Sequence, residues 1–156
     1  MDKGNLNKMA DYIENIPQYK FDMRRFRTEE HADDIEIIPD DPQEKVDISA
    51  YLAGQKTAHE CGTVGCPLGH CTILDERPLP LNYLGEIDFY AWSKEFTGLD
   101  PNSIGWCYLF GSFWTAVDNT PVGAAKRIRY LIENIENGAP EDWKAQMEGD
   151  APLSYM

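Results

Sequence analysis

The chain lacks both a long hydrophobic run and an excess of positive charge. No apolar stretch approaches the roughly 18 to 20 residues that a membrane helix needs, and the first ten residues mix charged and amide side chains without the apolar core of a signal peptide. The 27 acidic residues outnumber the 14 basic ones, and the formal charge of -13 repels nucleic acid and anionic membranes. We therefore expect no membrane span, no ordinary secretion signal and no direct binding to nucleic acid or to membranes.

Cysteine is too scarce and too crowded for a disulfide framework. Three of the four cysteines, Cys61, Cys66 and Cys71, fall within eleven residues, and nothing in the sequence indicates an oxidising compartment. We expect reduced thiols and a cytoplasmic location. Internal repeats and low-complexity blocks are also missing, so a repeat architecture is not expected.

What remains is the composition of one ordinary domain. A chain of 156 residues with 42% apolar residues can bury a substantial core without covalent cross-links. We therefore predict a single domain over residues 1–156. The fold class favoured by the patterns below is mainly α, and α+β at most: a compact bundle of about four to five short helices with a small β-hairpin near the N-terminus.

A first helix is predicted close to the beginning of the chain. Apolar residues recur at helical spacing at positions 6, 9, 10 and 13. Asn5 is the expected N-cap, and Pro17 is expected to stop the helix.

Two further helices are predicted in the middle of the chain. Residues 86–96 have the pattern of a helix closed by Gly98, because glycine adopts the left-handed conformation at low cost. Asp100 and Pro101 then indicate a cap and a first-turn proline for a helix that runs toward Phe110 and is followed by Gly111.

The clearest helix prediction follows residue 118. Asn119 or Thr120 is the expected cap, Pro121 lies in the first turn, and a glycine and a proline at positions 138 and 140 end the helix. The face opposite the apolar stripe is basic, and we interpret it as solvated, with Arg129 and Glu133 spaced to pair. The apolar stripe comprises Ala124, Ala125, Ile128, Leu131, Ile132 and Ile135, and the basic face comprises Lys126, Arg127 and Arg129.

Extended and irregular structure is predicted before the cysteines. Residues 21–26 alternate apolar and polar side chains, and residues 35–38 form a second short run, so a small hairpin is the expected β element. Residues 29–47 hold nine carboxylates and one lysine, and Pro39 and Pro42 interrupt any regular element. We interpret residues 29–47 as an exposed acidic loop within the domain.

The densest group of chemically reactive side chains lies at residues 59–71. It comprises His59, Cys61, Cys66, His70 and Cys71, and thiolate and imidazole are the ligands that zinc prefers. Successive cysteines enclose four residues, which departs from the usual pattern of two separated ligand pairs. A metal site is therefore one of three interpretations, and zinc is the one cofactor that the sequence suggests.

The other two interpretations need no metal. In one, Cys61 or Cys66 is a nucleophile whose pKa is lowered at a helix N-terminus, with His59 or His70 as the base. In the other, the segment is structural: Thr63 caps a short helix and Cys66 is a small buried apolar group. Because free cysteine is among the most buried residue types, we favour the structural interpretation.

The same segment resembles a family motif. The pattern is C-G-T-x-x-C-x-x-G-H, the core of a family of small, uncharacterised bacteriophage and bacterial proteins, and residues 5–11, 21–23 and 118–131 are similar to other parts of that family. The resemblance implies a compact helical domain carried in phage or prophage genomes, and hence a bacterial host cell. Cys71 departs from the family pattern, and because the family has no assigned activity, no catalytic residue is carried over. The matching residues are Cys61, Gly62, Thr63, Cys66, Gly69 and His70.

Charge and resemblance together lead us to expect a non-enzymatic accessory protein of phage or prophage type. Such a protein would bind another protein, with an acidic surface that imitates nucleic acid toward a basic or nucleic-acid-binding partner. The alternatives are a zinc-binding or thiol-dependent module at the cysteines and a minor virion or assembly component. The oligomeric state stays open. The residues expected to contact the partner are Asp33, Asp34, Glu36, Asp40 and Asp41.

Overall fold

The computed structural model describes residues 1–23, 28–29, 63–64 and 66–156. The described part is mainly helical, as the sequence predicts, and it contains six α-helices instead of four to five. Three short 3-10 turns, at Gln18–Lys20, Thr72–Leu74 and Ser112–Ala116, connect them. The helices are α1 (Lys3–Ile13), α2 (Pro67–Cys71), α3 (Phe89–Thr97), α4 (Ile104–Phe110), α5 (Pro121–Glu133) and α6 (Trp143–Glu148).

Strand structure in the described residues is confined to one short antiparallel pair. Strand β1 (Thr28–Glu29) pairs with β2 (Thr63–Val64), and Thr28 lies opposite Val64. The pair joins segments that are far apart in the sequence, so it is not a local hairpin. The predicted partner run at residues 35–38 and half of residues 21–26 lie outside the described residues, as does nearly all of the acidic loop at residues 29–47.

The core forms where α1 packs against α5. The predicted stripe of α1, at positions 6, 9, 10 and 13, is fully buried, and it meets buried Ala124, Ala125, Ile128 and Leu131 of α5. Burying each large aliphatic side chain contributes about 1.5 to 3 kcal/mol. Arg129 adds two surface ion pairs across the same interface, 2.9 Å from Asp11 and 2.7 Å from Glu14. The predicted pairing of Arg129 with Glu133 is therefore replaced by contacts with α1.

Two of the predicted helix caps are wrong, and the reasons are tertiary. Asp2 caps α1 by accepting a hydrogen bond from the backbone N–H of Asn5, 2.9 Å away. The Asn5 amide instead donates to the Phe96 carbonyl, 2.8 Å away, and so ties α1 to the end of α3. Ser103 caps α4, because Asp100 is used one step earlier to accept from the Asn102 N–H.

Two of the remaining end signals, the Thr120 cap and the Gly98 stop, are confirmed, whereas α5 ends before the predicted stop at positions 138 and 140. Thr120 caps α5 by accepting from the Gly123 N–H, and Pro121 occupies its first turn. Gly98 closes α3 with a left-handed φ of 71°, as predicted. Helix α5 ends at Glu133, so Ile135, which we placed on the apolar stripe, lies beyond the helix and is exposed.

Candidate partner-binding surface

An aromatic groove with a volume of about 410 Å³ lies between α3, α4 and α6. Helix α4 supplies its floor with Trp106 and Phe110, and α6 supplies one wall with Trp143 and Met147. None of the described residues that line this groove is charged. The surface is therefore suited to apolar side chains. We call it the aromatic groove; its further lining residues are Met23, Tyr90, Cys107, Gly111, Ser112 and Phe113.

The floor of the groove is held in place by aromatic packing and one hydrogen bond. Trp106 stacks on Tyr90 with ring centroids 5.5 Å apart, and Phe110 meets Trp106 edge to face at the same distance. The indole N–H of Trp106 donates to the Ser93 hydroxyl, 2.8 Å away. The polar edge of Trp106 is thereby satisfied inside the protein, so its apolar surface is available to line the groove.

Gly111 allows the wall and floor of the groove to approach closely. A Cβ atom at this position would lie 2.5 Å from both the Cys107 carbonyl oxygen and the terminal methyl of Met147. The φ of Gly111 is -66°, which any residue adopts, so the glycine is needed for space and not for conformation. The contact of Met147 with the end of α4 depends on that missing side chain.

Large apolar side chains are exposed at the mouth of the groove. Phe113 is 66% exposed and Tyr90 is 51% exposed, while Trp143 is half-buried. Contiguous exposed apolar surface on a folded protein commonly marks an interaction site. The mouth of the groove is thus the strongest candidate for partner contact in the described residues.

Exposed carboxylates flank the apolar wall contributed by α6. Residues 133–150 contain six carboxylates and one cation, Lys144. The Lys144 ammonium lies 5.4 Å from the centre of the Trp143 ring, at the edge of the groove. We call the exposed carboxylates nearest to Trp143 and Met147 in sequence the acidic rim; they are Glu141, Asp142, Glu148 and Asp150.

A second group of exposed apolar side chains lies on a tightly built loop at residues 81–87. The Asn82 side-chain oxygen accepts from the N–H groups of Leu84 and Glu86, and Leu81 and Ile87 form an isolated antiparallel bridge. Tyr83, at the tip of the loop, is 95% exposed, and Leu81 and Leu84 are also exposed. This loop is separate from the aromatic groove, since none of its residues lines it.

The structure places three of the five predicted cysteine and histidine ligands, and all three are buried. His59 and Cys61 lie outside the described residues. Burial raises the pKa of Cys66 to about 11, although N–H groups of α2 oppose the rise, and burial also raises the pKa of Cys71. His70 is buried, with Nε2 2.6 Å from the Lys20 carbonyl oxygen.

These placements fit the structural interpretation for Cys66. The nucleophile hypothesis needs a lowered pKa at Cys66, and the direction found is the opposite. Thr63 lies in β2 and does not cap α2, which begins directly after Cys66 with Pro67 in its first turn. In the part of the chain that the structure describes, no three His, Cys, Asp or Glu side chains come together to hold a metal ion. With His59 and Cys61 outside that part, the zinc site stays a prediction.

The acidic residues that we expected to contact a partner also lie outside the described residues. Asp33, Asp34, Glu36, Asp40 and Asp41 fall within residues 30–62. The carboxylates of the acidic rim, by contrast, lie in the described residues and are exposed. The sequence did not predict the groove, because its lining comes from four separate segments of the chain.

The prediction that Arg127 lies on a solvated face is wrong. Its side chain is 0% exposed, and its guanidinium carbon lies 4.3 Å from the centre of the Trp114 ring. Nη1 donates to the Tyr155 hydroxyl at 3.0 Å and forms an ion pair with Asp118 at 3.4 Å, and the Tyr155 hydroxyl donates to Asp118 at 2.8 Å. Burial lowers the pKa of Arg127. We call these four residues the closed cluster.

The signal for this burial was present in the sequence. Position 127 follows position 124 by three and precedes position 131 by four, so it shares the face of the apolar stripe. Among the described residues, no hydrogen-bond partner faces Nε or Nη2 of Arg127. Arg127 and Trp114 of the closed cluster are fully buried by the chain itself, and Asp118 and Tyr155 are only partly exposed.

Comparison of the chain with family models, curated proteins and solved structures gave no match. Among the described helices, none is long and apolar enough to cross a membrane. The candidate surface therefore rests on its own geometry and charge, and the resemblance to a phage family stays a prediction.

Proposed function

We propose that this protein is a non-enzymatic accessory protein that acts by binding a basic partner protein. The observation that carries the proposal is the exposed aromatic mouth of the groove, whose α6 residues Trp143 and Met147 are flanked in the sequence by the exposed carboxylates of the acidic rim. Apolar contact supplies affinity, and surrounding carboxylates select a partner of opposite charge. An apolar surface with carboxylates close to it in the sequence has the composition of a protein interface.

The net charge of the chain supports a basic partner. At -13 the protein attracts cationic surfaces and repels anionic ones, which speeds association with the former. If the partner normally holds nucleic acid, the carboxylates of residues 133–150, together with the acidic segment at residues 29–47, would compete for the same surface. The phage or prophage origin in this proposal rests on the motif that begins at Cys61.

Salt-dependent binding tests the proposal. The protein is mixed with a panel of purified basic DNA-binding proteins, and complexes are measured by size-exclusion chromatography from about 50 to about 500 mM salt. We expect at least one complex that weakens as salt rises and that releases bound DNA as it forms. Absence of any complex at low salt, or binding that salt does not change, contradicts the proposal.

A matched pair of variants locates the contact. Glu141→Gln with Glu148→Gln removes two charges from the acidic rim, and Glu76→Gln with Glu95→Gln removes two exposed charges from α3 and the segment before it. Both double variants change the net charge by the same amount. We expect the first to weaken binding more than the second, because it removes local and not only overall attraction.

The zinc-binding or thiol-dependent alternative is tested separately by native mass spectrometry of protein purified without chelator. An added mass of one zinc ion, lost on acidification and in the Cys66→Ser variant, would establish the metal module. Thiol labelling of the native protein completes the test. Because Cys66 and Cys71 are buried with raised pKa values, we expect Cys107, which is partly exposed, to react before either of them.

A further inference from the structure

We propose that the aromatic groove receives the apolar face of a basic amphipathic helix of the partner protein. This inference rests on the proposed function and names the chemical class of segment that the surface takes. A groove between helices holds such a segment by accepting a ridge of apolar side chains, while the polar face of the bound helix stays in contact with solvent and with the rim.

The chemistry of the lining fits a ridge of side chains. Aromatic rings form the floor and mouth, and two methionines, Met23 and Met147, lie among the lining residues. Methionine is unbranched and polarizable, so it adjusts to apolar side chains of different shapes. A small polar ligand would instead need several convergent polar groups, and no charged residue is among the described residues that line the groove.

The net charge of the chain discriminates among the apolar surfaces that could bind in the groove. A second copy of this protein would bring a further -13 to the interface, and an anionic membrane surface would be repelled in the same way. A segment with Lys or Arg on its polar face is attracted. Of the acidic rim, Glu148 lies in α6 with Trp143 and Met147, and Glu141 and Asp142 directly precede the helix, so we expect the polar face of a bound helix to meet these carboxylates.

Lys144 allows the sign of the charge effect on binding to be tested at the same surface. Its ammonium lies 5.4 Å from the centre of the Trp143 ring, and in the sequence Lys144 stands between Asp142 and Glu148 of the acidic rim. A basic helix in the groove would be repelled by Lys144 and attracted by Glu141 and Glu148. Removing these charges must therefore change the affinity in opposite directions.

The probe is a fluorescein-labelled synthetic peptide of about 18 residues, long enough for five helical turns, with Leu and Phe on one face and Lys on the other. Two comparison peptides carry Glu in place of Lys, or the same composition with the apolar residues scattered around the helix. Affinities for the full chain are measured by fluorescence anisotropy at about 50 and about 300 mM salt. We expect the first peptide to bind at least ten-fold more tightly than either comparison peptide.

Four variants locate the peptide. Phe113→Ser, at the exposed mouth, should weaken binding about ten-fold at both salt concentrations, because it removes apolar contact. Glu141→Gln with Glu148→Gln should weaken it several-fold at low salt only, and Lys144→Gln should tighten it. Tyr83→Ser, which removes an exposed aromatic side chain outside the groove, should leave binding unchanged.

The outcomes separate this inference from the proposed function. Peptide binding that Phe113→Ser does not change, or that Lys144→Gln weakens, overturns the groove as the site while leaving an acidic binding surface in place. No peptide binding, with salt-dependent complexes still formed by the basic protein panel, overturns this inference alone. No binding in either experiment overturns both. Circular dichroism of each variant verifies that the fold is kept.

Discussion

The closed cluster and the aromatic groove are built from similar residues but differ in what occupies them. In the closed cluster, Arg127 lies against the Trp114 ring, and Tyr155 covers it from a later segment of the chain. In the groove, Trp106 and Phe110 form an equivalent aromatic floor, yet solvent reaches Phe113 and Tyr90 at its mouth. Within the described residues, the chain fills one aromatic site with its own cation and leaves the mouth of the other exposed. Aromatic content alone therefore does not distinguish core from interface.

The largest expected effect lies in the closed cluster. Arg127→Ala should lower the free energy of unfolding by about 3 to 5 kcal/mol, because it leaves Asp118 without its cation and opens a cavity beside Trp114. Arg129→Ala, which breaks exposed pairs, should cost at most about 1 kcal/mol. Urea unfolding monitored by circular dichroism measures both. Equal losses in the two variants would show that Arg127 contributes no more than a surface residue.

A smaller loss is expected from filling the space beside Asp118. A Cβ atom on Gly123 would overlap the Asp118 carboxylate, which Tyr155, Thr120 and Arg127 hold in place. We expect Gly123→Ala to cost about 1 to 3 kcal/mol despite the better helix propensity of alanine. Gly105→Ala in α4 is the control, since its Cβ would meet only ordinary contacts at 3.5 Å and beyond. A stability gain in both variants would mean that Asp118 is free to move.

Asp75 is a buried charge with well-formed hydrogen bonds, and it can be compared with the buried charge of Arg127. It accepts from the side chain and backbone N–H of Arg77 and from the Trp92 indole, each at 3.0 Å, and the Arg77 hydrogen bond above all lowers the pKa of Asp75. We expect Asp75→Asn to cost about 1 to 2 kcal/mol at neutral pH.

The pH dependence of that loss follows from the lowered pKa. Near pH 4 the unfolded state binds more protons at Asp75 than the folded state does. The stabilisation that ionised Asp75 provides is therefore complete at pH values above the unfolded pKa of about 3.9. It is lost as the pH falls through the lower folded pKa. The difference between wild type and Asp75→Asn in urea unfolding should therefore shrink between neutral pH and about pH 3. A difference that does not change with pH would assign the effect to packing.

The smallest effect on stability is expected in the groove. Phe113→Ser should change the free energy of unfolding by at most about 0.5 kcal/mol, because the ring is already largely in water. The same variant is expected to weaken peptide binding, so stability and binding respond to different aromatic sites. A loss of about 2 kcal/mol or more would place Phe113 in the core and would remove the contrast between the two regions.

Much of the helical fold was predictable because its signals are local. The stripe of α1, the Thr120 cap and the Gly98 stop depend on residues a few positions apart, and each was confirmed. Arg127 was wrongly predicted to be solvated because its charge was given more weight than its position on the apolar face of the helix. Its burial depends on Tyr155, a distant residue in the sequence that pairs with it. The groove was not predictable, because Met23, Tyr90, Phe110 and Trp143 are brought together only by packing.

The sequence by itself determined the net charge, the mainly helical class and the apolar faces, since these follow from composition and from spacing within single turns. The tertiary structure decided how polar groups divide their hydrogen bonds. Asn5 leaves the cap to Asp2 and ties α1 to α3 because the Phe96 carbonyl lies within reach. The tertiary structure also decided which aromatic cluster is closed. A ring becomes part of the core when another segment of the chain covers it, and it stays available for an interface when no segment does.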